Sequence, residues 1–294
     1  MLARVLSYFG IFLLTLLSLL PLSVLYIIAW IFYFFVYAVF GYRKKIVRAN
    51  LRKVFPEKSE AELLCIEKKY YAYLTALVVE IIKMRSISKA ELQRRFRFKN
   101  IEVLEEYFKK GQSVLICSAH YGNWEWGTLS FGLAISAQNY PIYKPLKDVV
   151  FDCWLRKVRS RFGNKMIAMN QTLRALQANK TEATVFCFGN DQSPSKDELN
   201  YWTTFLGQPS AVQLGIEKIA KKTNRPVFYL KTTVLKKGYY EVECVPLCLD
   251  PAAAAEFEIT ELHVRLLEKI ILEEPAYWLW SHRRWKHQKP ALSA

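Results

Sequence analysis

The 294-residue chain lacks the short signatures that usually mark a cofactor or nucleophile site. It holds no GxxxxGK[ST] loop to cradle phosphates, no GxGxxG dinucleotide turn and no GxSxG nucleophile elbow. Its four histidines, His120, His263, His282 and His287, form no HExxH pattern. The six cysteines, Cys65, Cys117, Cys153, Cys187, Cys244 and Cys248, include no CxxC pair. Neither a zinc site nor a disulfide frame follows from that spacing, and the cysteines in apolar runs read as small core residues of a reducing compartment. Acidic residues are the scarce charge, 26 Asp and Glu against 42 Lys and Arg, for a net +16. That excess suits an anionic membrane, nucleic acid, an acidic protein or a phosphorylated substrate. The aromatic-basic strand motifs of RNA-binding sheets are missing, so nucleic acid is not expected.

Charge is also missing from Phe9 to Gly41. This run exceeds both a signal-peptide core and the roughly 20 residues that cross a bilayer, and it has no small-residue cleavage site. Pro21 implies a kink, or a spanning helix joined to an interfacial one. Trp30, Phe32, Tyr33, Phe34, Phe35 and Tyr37 suit a membrane interface. Arg43, Lys44, Lys45, Arg48, Arg52 and Lys53 follow the run, and only Arg4 precedes it. The positive-inside rule therefore predicts a single N-terminal span with the rest of the chain cytoplasmic.

Three parts are expected. Residues 1–42 are the anchor. Residues 43–110 are a basic, amphipathic helical segment packing on membrane and domain. It has a lipid-facing stretch at 46–58, a capping box at Ser59–Glu62 opening a helix to about Met84, a second cap at Ser88, and a helix over 101–110. Residues 111–294 are an α/β domain. Apolar runs at 114–117, 140–143, 183–188, 226–235 and 239–247 read as strands. Helices are expected at 149–162, 171–179, 211–222 and 259–272, with a loop over 193–210. The alternation predicts a mainly parallel, mixed sheet flanked by helices, with a late hairpin.

The stretch with most chemistry is Ser113–Gly127. A buried strand ends at His120, and Glu125 lies in the first turn of a helix whose N-cap is Asn123. On one continuous helix, positions five apart would diverge by about 140°; across a strand-to-helix turn they can meet. Asp191 follows a second strand, so it can share the crevice at the strand ends or close an Asx-turn. The 154–165 helix is Arg-weighted, and arginine's fork suits carboxylate or phosphate. The tail from Trp278 to His287 reads either as an aromatic-basic interfacial belt or as arginines turned into the site.

Taken together, these motifs resemble the HxxxxD/E glycerolipid-type acyltransferases. His120-Tyr-Gly-Asn-Trp-Glu125, the Asn-Leu…Phe-Pro-Glu of 50–57, the basic helix, Asp191-Gln192 and Trp280-Ser-His-Arg-Arg-Trp-Lys286 are similar to the late acyltransferases of lipid A biosynthesis. The resemblance covers nearly the whole chain. It implies the glycerolipid-acyltransferase-like fold, with His120 as general base and Glu125 as its orienting partner. Arg161 or Arg159 would stabilise an oxyanion or bind substrate, and Asp191 would complete the site. Asn123, Lys144, Gln192, His282, Arg283 and Arg284 become candidates for substrate contact. The implied donor is a thioester on acyl carrier protein or CoA, and the acceptor an anionic glycolipid at the cytoplasmic face of the inner membrane, with no cofactor or metal. Lys144 and Ser193–Lys196 depart from the family pattern, at positions that bear on donor and acceptor identity. Another acceptor (a lysophospholipid, amino lipid or mannosylated lipid) and a non-enzymatic, basic membrane-tethered binding protein are the alternatives.

Overall fold

The computed structural model describes residues 2–179 and 182–289. Two apolar helices open the chain, α1 (Leu2–Leu19) and α2 (Leu22–Tyr33), the second continuing as a π-helical turn over Phe34–Val39. The expected kink at Pro21 is a full break, because proline brings no N–H to continue the first helix. Next come α3 (Lys44–Val54), α4 (Glu60–Lys83), α5 (Lys89–Arg95), β1 (Phe96–Lys99), α6 (Glu102–Lys109), β2 (Val114–Ser118) and α7 (Trp124–Ala134). The chain goes on with β3 (Gln138–Tyr143), α8 (Val149–Arg159), β4 (Ile167–Ala168), α9 (Thr172–Ala178) and β5 (Thr184–Gly189). It finishes with the hairpin β6 (Trp202–Phe205) and β7 (Gln208–Ala211), then α10 (Gly215–Thr223), β8 (Val227–Lys236), β9 (Tyr239–Cys248) and α11 (Glu258–Glu273).

Seven strands form one sheet in the order β1-β9-β8-β2-β5-β3-β4, parallel except for the β8–β9 pair. The period-2 alternation of strand side chains sorts the core into two layers. Val114 and Ile116 of β2, with Val185 and Phe228, pack against Leu104 and Phe108 of α6 and Phe131 of α7. Leu115 and Cys117, with Phe186 and Val227, face Ile216 of α10, Ile271 of α11 and the tail tryptophans Trp278 and Trp280.

Three features differ from expectation. Phe96–Lys99 is an edge strand, so the sheet begins inside the segment expected to be helical throughout. Part of the 193–210 loop is the β6–β7 hairpin, turned by Leu206 and Gly207, both at positive φ, as a tight two-residue turn requires. The apolar side of α3 packs inward: Val47, Leu51 and Val54 are buried, and Asn50 Nδ2 donates to Trp280 O at 2.9 Å. Its basic residues Lys45, Arg48, Arg52 and Lys53 remain outward.

Candidate active site

The site is built at the carboxyl ends of β2 and β5. These strands are parallel neighbours paired level, Ser118 beside Gly189, so His120 and Asp191 leave the sheet side by side. Asp191 Oδ1 lies 2.6 Å from His120 Nδ1, and its Oδ2 accepts the backbone N–H of His120 at 3.1 Å and Trp278 Nε1–H at 2.9 Å. Burial alone would raise the Asp191 pKa, but the adjacent imidazole and the donated hydrogen bonds outweigh it and hold the carboxyl at about 2. Burial likewise favours neutral His120, yet the Asp191 charge, helped by Glu125, leaves its pKa above the ordinary value. An ionised Asp191 fixes the proton on Nδ1 and leaves a lone pair on Nε2. That nitrogen sits 3.2 Å from the Gln192 amide Nε2, and the imidazole is 26% exposed. Trp124 packs edge-on against the ring, 5.1 Å between centroids.

The carboxylate bonded to His120 is Asp191 and not, as expected, Glu125, whose hydrogen bonds run to Arg159. Asn123 caps α7 by accepting Trp126 N–H at 2.9 Å, and from the first turn Glu125 reaches across to α8. There Arg159 holds it in a fork, Nε–H to Oε2 at 2.7 Å and Nη2–H to Oε1. The two candidate arginines have different partners. Arg159 is the last residue of α8 and joins Glu125 beside His120. Arg161 lies in the following turn and donates to Met84 O and Ile87 O instead.

Asn123 is fully buried, and its side chain is hydrogen-bonded at both ends, since its Nδ2 donates to Glu80 Oε2 at 2.6 Å; it shapes the turn. Lys144 and Arg283 are exposed and, among the described residues, have no side-chain hydrogen bond or ion pair. Gln192 is at the reactive nitrogen. His282 Nε2 accepts Ser193 N–H at 3.1 Å, and burial depresses its pKa to about 4. Arg284 is 3% exposed with its Nε unpartnered among the described residues, 5.3 Å over the Phe205 ring. Burial lowers its pKa to about 10, partly offset by the Asp191 charge.

Three supporting residues escaped sequence reading. Trp278 fixes Asp191. Tyr73 Oη donates to Gly122 O at 2.5 Å, bracing the turn after His120. Glu80, fully buried, accepts from Asn123, Tyr240 Oη at 2.7 Å and Tyr26 Oη at 2.7 Å. A signal for Glu80 existed: it is an acid on the apolar stripe of α4, between Leu77 and Ile81, where a charge needs partners.

A histidine paired through Nδ1 with a buried carboxylate, at the rim of a mainly parallel sheet, is an arrangement that has the chemistry of a general base. The family model for the bacterial lipid A biosynthesis acyltransferases matches residues 1–287, and the chain belongs to that family. A lipid A biosynthesis acyltransferase of Haemophilus influenzae is 24% identical over 81% of this chain and 74% of its own length. The lipid A biosynthesis lauroyltransferase and palmitoleoyltransferase of Escherichia coli are each 22% identical, over 83% of this chain and 79% of their own.

Proposed function

We propose that the protein transfers a fatty acyl chain from a thioester to a hydroxyl of a lipid A precursor, with His120 as general base. The observation that carries this reading is the His120–Asp191 pair, with Nδ1 held by the carboxylate, Nε2 next to the Gln192 amide and the imidazole partly exposed. The acceptor hydroxyl takes the place of the Gln192 amide at Nε2. As the proton moves to Nε2, the alkoxide oxygen attacks the thioester carbonyl. Asp191 and Glu125 stabilise the imidazolium that forms. The tetrahedral oxyanion lies near the start of α7, whose N–H groups and dipole favour negative charge, with Arg159 adding positive potential. Collapse breaks the carbon–sulfur bond, the thiolate takes the proton back from Nε2, and ester and thiol leave. No covalent enzyme intermediate is needed.

The excess of basic residues suits an acidic carrier protein as donor and a phosphorylated glycolipid as acceptor, and Arg284 contributes a buried positive charge beside Asp191. The exposed apolar faces of α1 and α2 and the outward lysines and arginines of α3 support attachment to the cytoplasmic leaflet of the inner membrane.

Mass spectrometry of lipid A before and after gene deletion tests the reading. Loss of one acyl chain, restored by the intact gene, is expected. Unchanged lipid A with a missing acyl group on another lipid would overturn the acceptor assignment.

A further inference from the structure

Helix α1 and the continuous helical stretch Leu22–Val39, which is α2 with its π-helical turn, are each 18 residues long and apolar enough by length and composition to cross a bilayer. Their surroundings indicate another arrangement. We propose that both helices lie in a single leaflet, apolar side down, with the protein domain resting along their other side. This rests on the membrane attachment proposed above.

The first observation is where α1 touches the domain. Near its start, Ser7 Oγ donates to the Asp148 carboxylate at 2.6 Å, and Gly10 lies against Phe151 of α8, close enough that a Cβ would come within 3.3 Å of the ring. At its far end, Lys83 Nζ donates to Ser18 O and Leu20 O, each at 2.9 Å. Ser7 and Ser18 are about 16 Å apart along a helix axis. An upright α1 would span a hydrocarbon core of about 30 Å almost end to end. Asp148 or Lys83 would then sit within the core, where charged groups are strongly disfavoured. A helix lying flat puts both charges at one level, above the hydrocarbon.

The second observation is independent and comes from α2. Leu25 and Ala29 are buried against the domain, Tyr26 donates to Glu80, and just past the helix Tyr71 Oη donates to Tyr42 O at 2.6 Å. On the opposite side Ile27, Trp30 and Phe34 are exposed, as Phe9, Phe12 and Leu16 are on α1. Each helix thus has one side on protein and one side free.

The junction between them is a third indication. A groove of about 510 Å³ there is lined by Pro21, Lys83, Glu91 and Arg95. A spanning hairpin would carry this junction to the opposite headgroups, away from the domain that supplies those charges. The in-plane arrangement has a consequence for catalysis. Partly buried Tyr26 of α2 and the fully buried Glu80 and Asn123 form a hydrogen-bonded chain from that helix to the turn after His120. The depth of α2 in the leaflet thereby bears on the position of that turn.

Site-directed spin labels on the full-length protein test this. Phe9→Cys, Phe12→Cys, Leu16→Cys, Leu19→Cys, Ile27→Cys and Trp30→Cys, each with exposed Cys65 changed to Ser, are labelled and reconstituted in phosphatidylethanolamine–phosphatidylglycerol vesicles. All six sites are exposed, and circular dichroism checks that each variant keeps its helix content. Depth is read from collisions with oxygen and with a water-soluble nickel chelate. Every label is expected within one leaflet, no deeper than roughly 15 Å, with no steady trend along either helix. A depth that passes through the midplane, or a Leu19 label reached only by chelate trapped inside the vesicles, overturns the in-plane arrangement and leaves membrane attachment standing. Labels with fully aqueous values overturn membrane attachment itself.

Discussion

Asp191 holds its charge despite burial because every partner it has donates to it. Its two oxygens take three hydrogen bonds, two from His120 and one from Trp278. The consequence for the base is a trade. Asp191 raises the His120 pKa, so the imidazole is a stronger base but is charged, and idle, up to a higher pH. A general base works when neutral, so if His120 is the base, as proposed, the rate is expected to rise with pH through that raised pKa. Asp191→Asn removes the charge and leaves burial, which favours neutral imidazole. The acid limb of the kcat profile should therefore move to lower pH, while kcat falls on the order of 10²–10⁴-fold. A limb that stays in place would show that Asp191 does not set the proton affinity of His120. The same pair makes a stability statement. A carboxyl with a depressed folded pKa stabilises above its unfolded value, and that contribution is lost as the pH falls toward about 2.

Among the elements, the β2–α7 turn places His120 against Asp191. Gly122 has φ +57, and a Cβ there would lie 2.8 Å from Thr232 Cγ2 of β8. Gly122→Ala should cost at least roughly 1 kcal/mol from the left-handed backbone alone, with activity falling further as the turn shifts. Adding Thr232→Ala relieves the contact but not the backbone, so thermal melts should recover only in part. Full recovery would mean that crowding, not conformation, selects glycine.

This turn also marks how far sequence carries the argument. The strand, its end at His120 and the Asn123 cap follow from local pattern, because apolar runs and capping chemistry act over a few residues. The carboxylate that meets His120 does not. Asp191 reaches it only because β5 pairs beside β2, a long-range choice of strand order that spacing does not encode, whereas Glu125 is near in sequence and turns elsewhere. Arg159 and Arg161 are separated by the end of α8, a boundary that sequence gives only to within a residue or two. The β6–β7 hairpin carried a local signal, Leu206-Gly207 between two strand-like runs, obscured by its polar neighbours.

At the scale of the whole molecule, one sheet carries the His120–Asp191 pair, and the chain as a whole is strongly basic. Of the apolar helices, α2 is joined to the β2–α7 turn through Tyr26 and Glu80. Sequence alone conveys the charge, the apolar run and the α/β alternation, since each is a property of composition or periodicity. How the apolar helices sit on the domain depends on contacts such as Ser7 with Asp148, 141 positions apart. The central claim is that His120 drives acyl transfer, and the most direct test is a single assay. Purified full-length protein and its His120→Ala variant, matched in circular dichroism, are each given acyl carrier protein and CoA thioesters with a lipid A precursor in vesicles. The intact protein should form the acylated product with at least one donor, and the variant should be slower by on the order of 10³-fold or more. Near-normal product formation by His120→Ala would contradict the account.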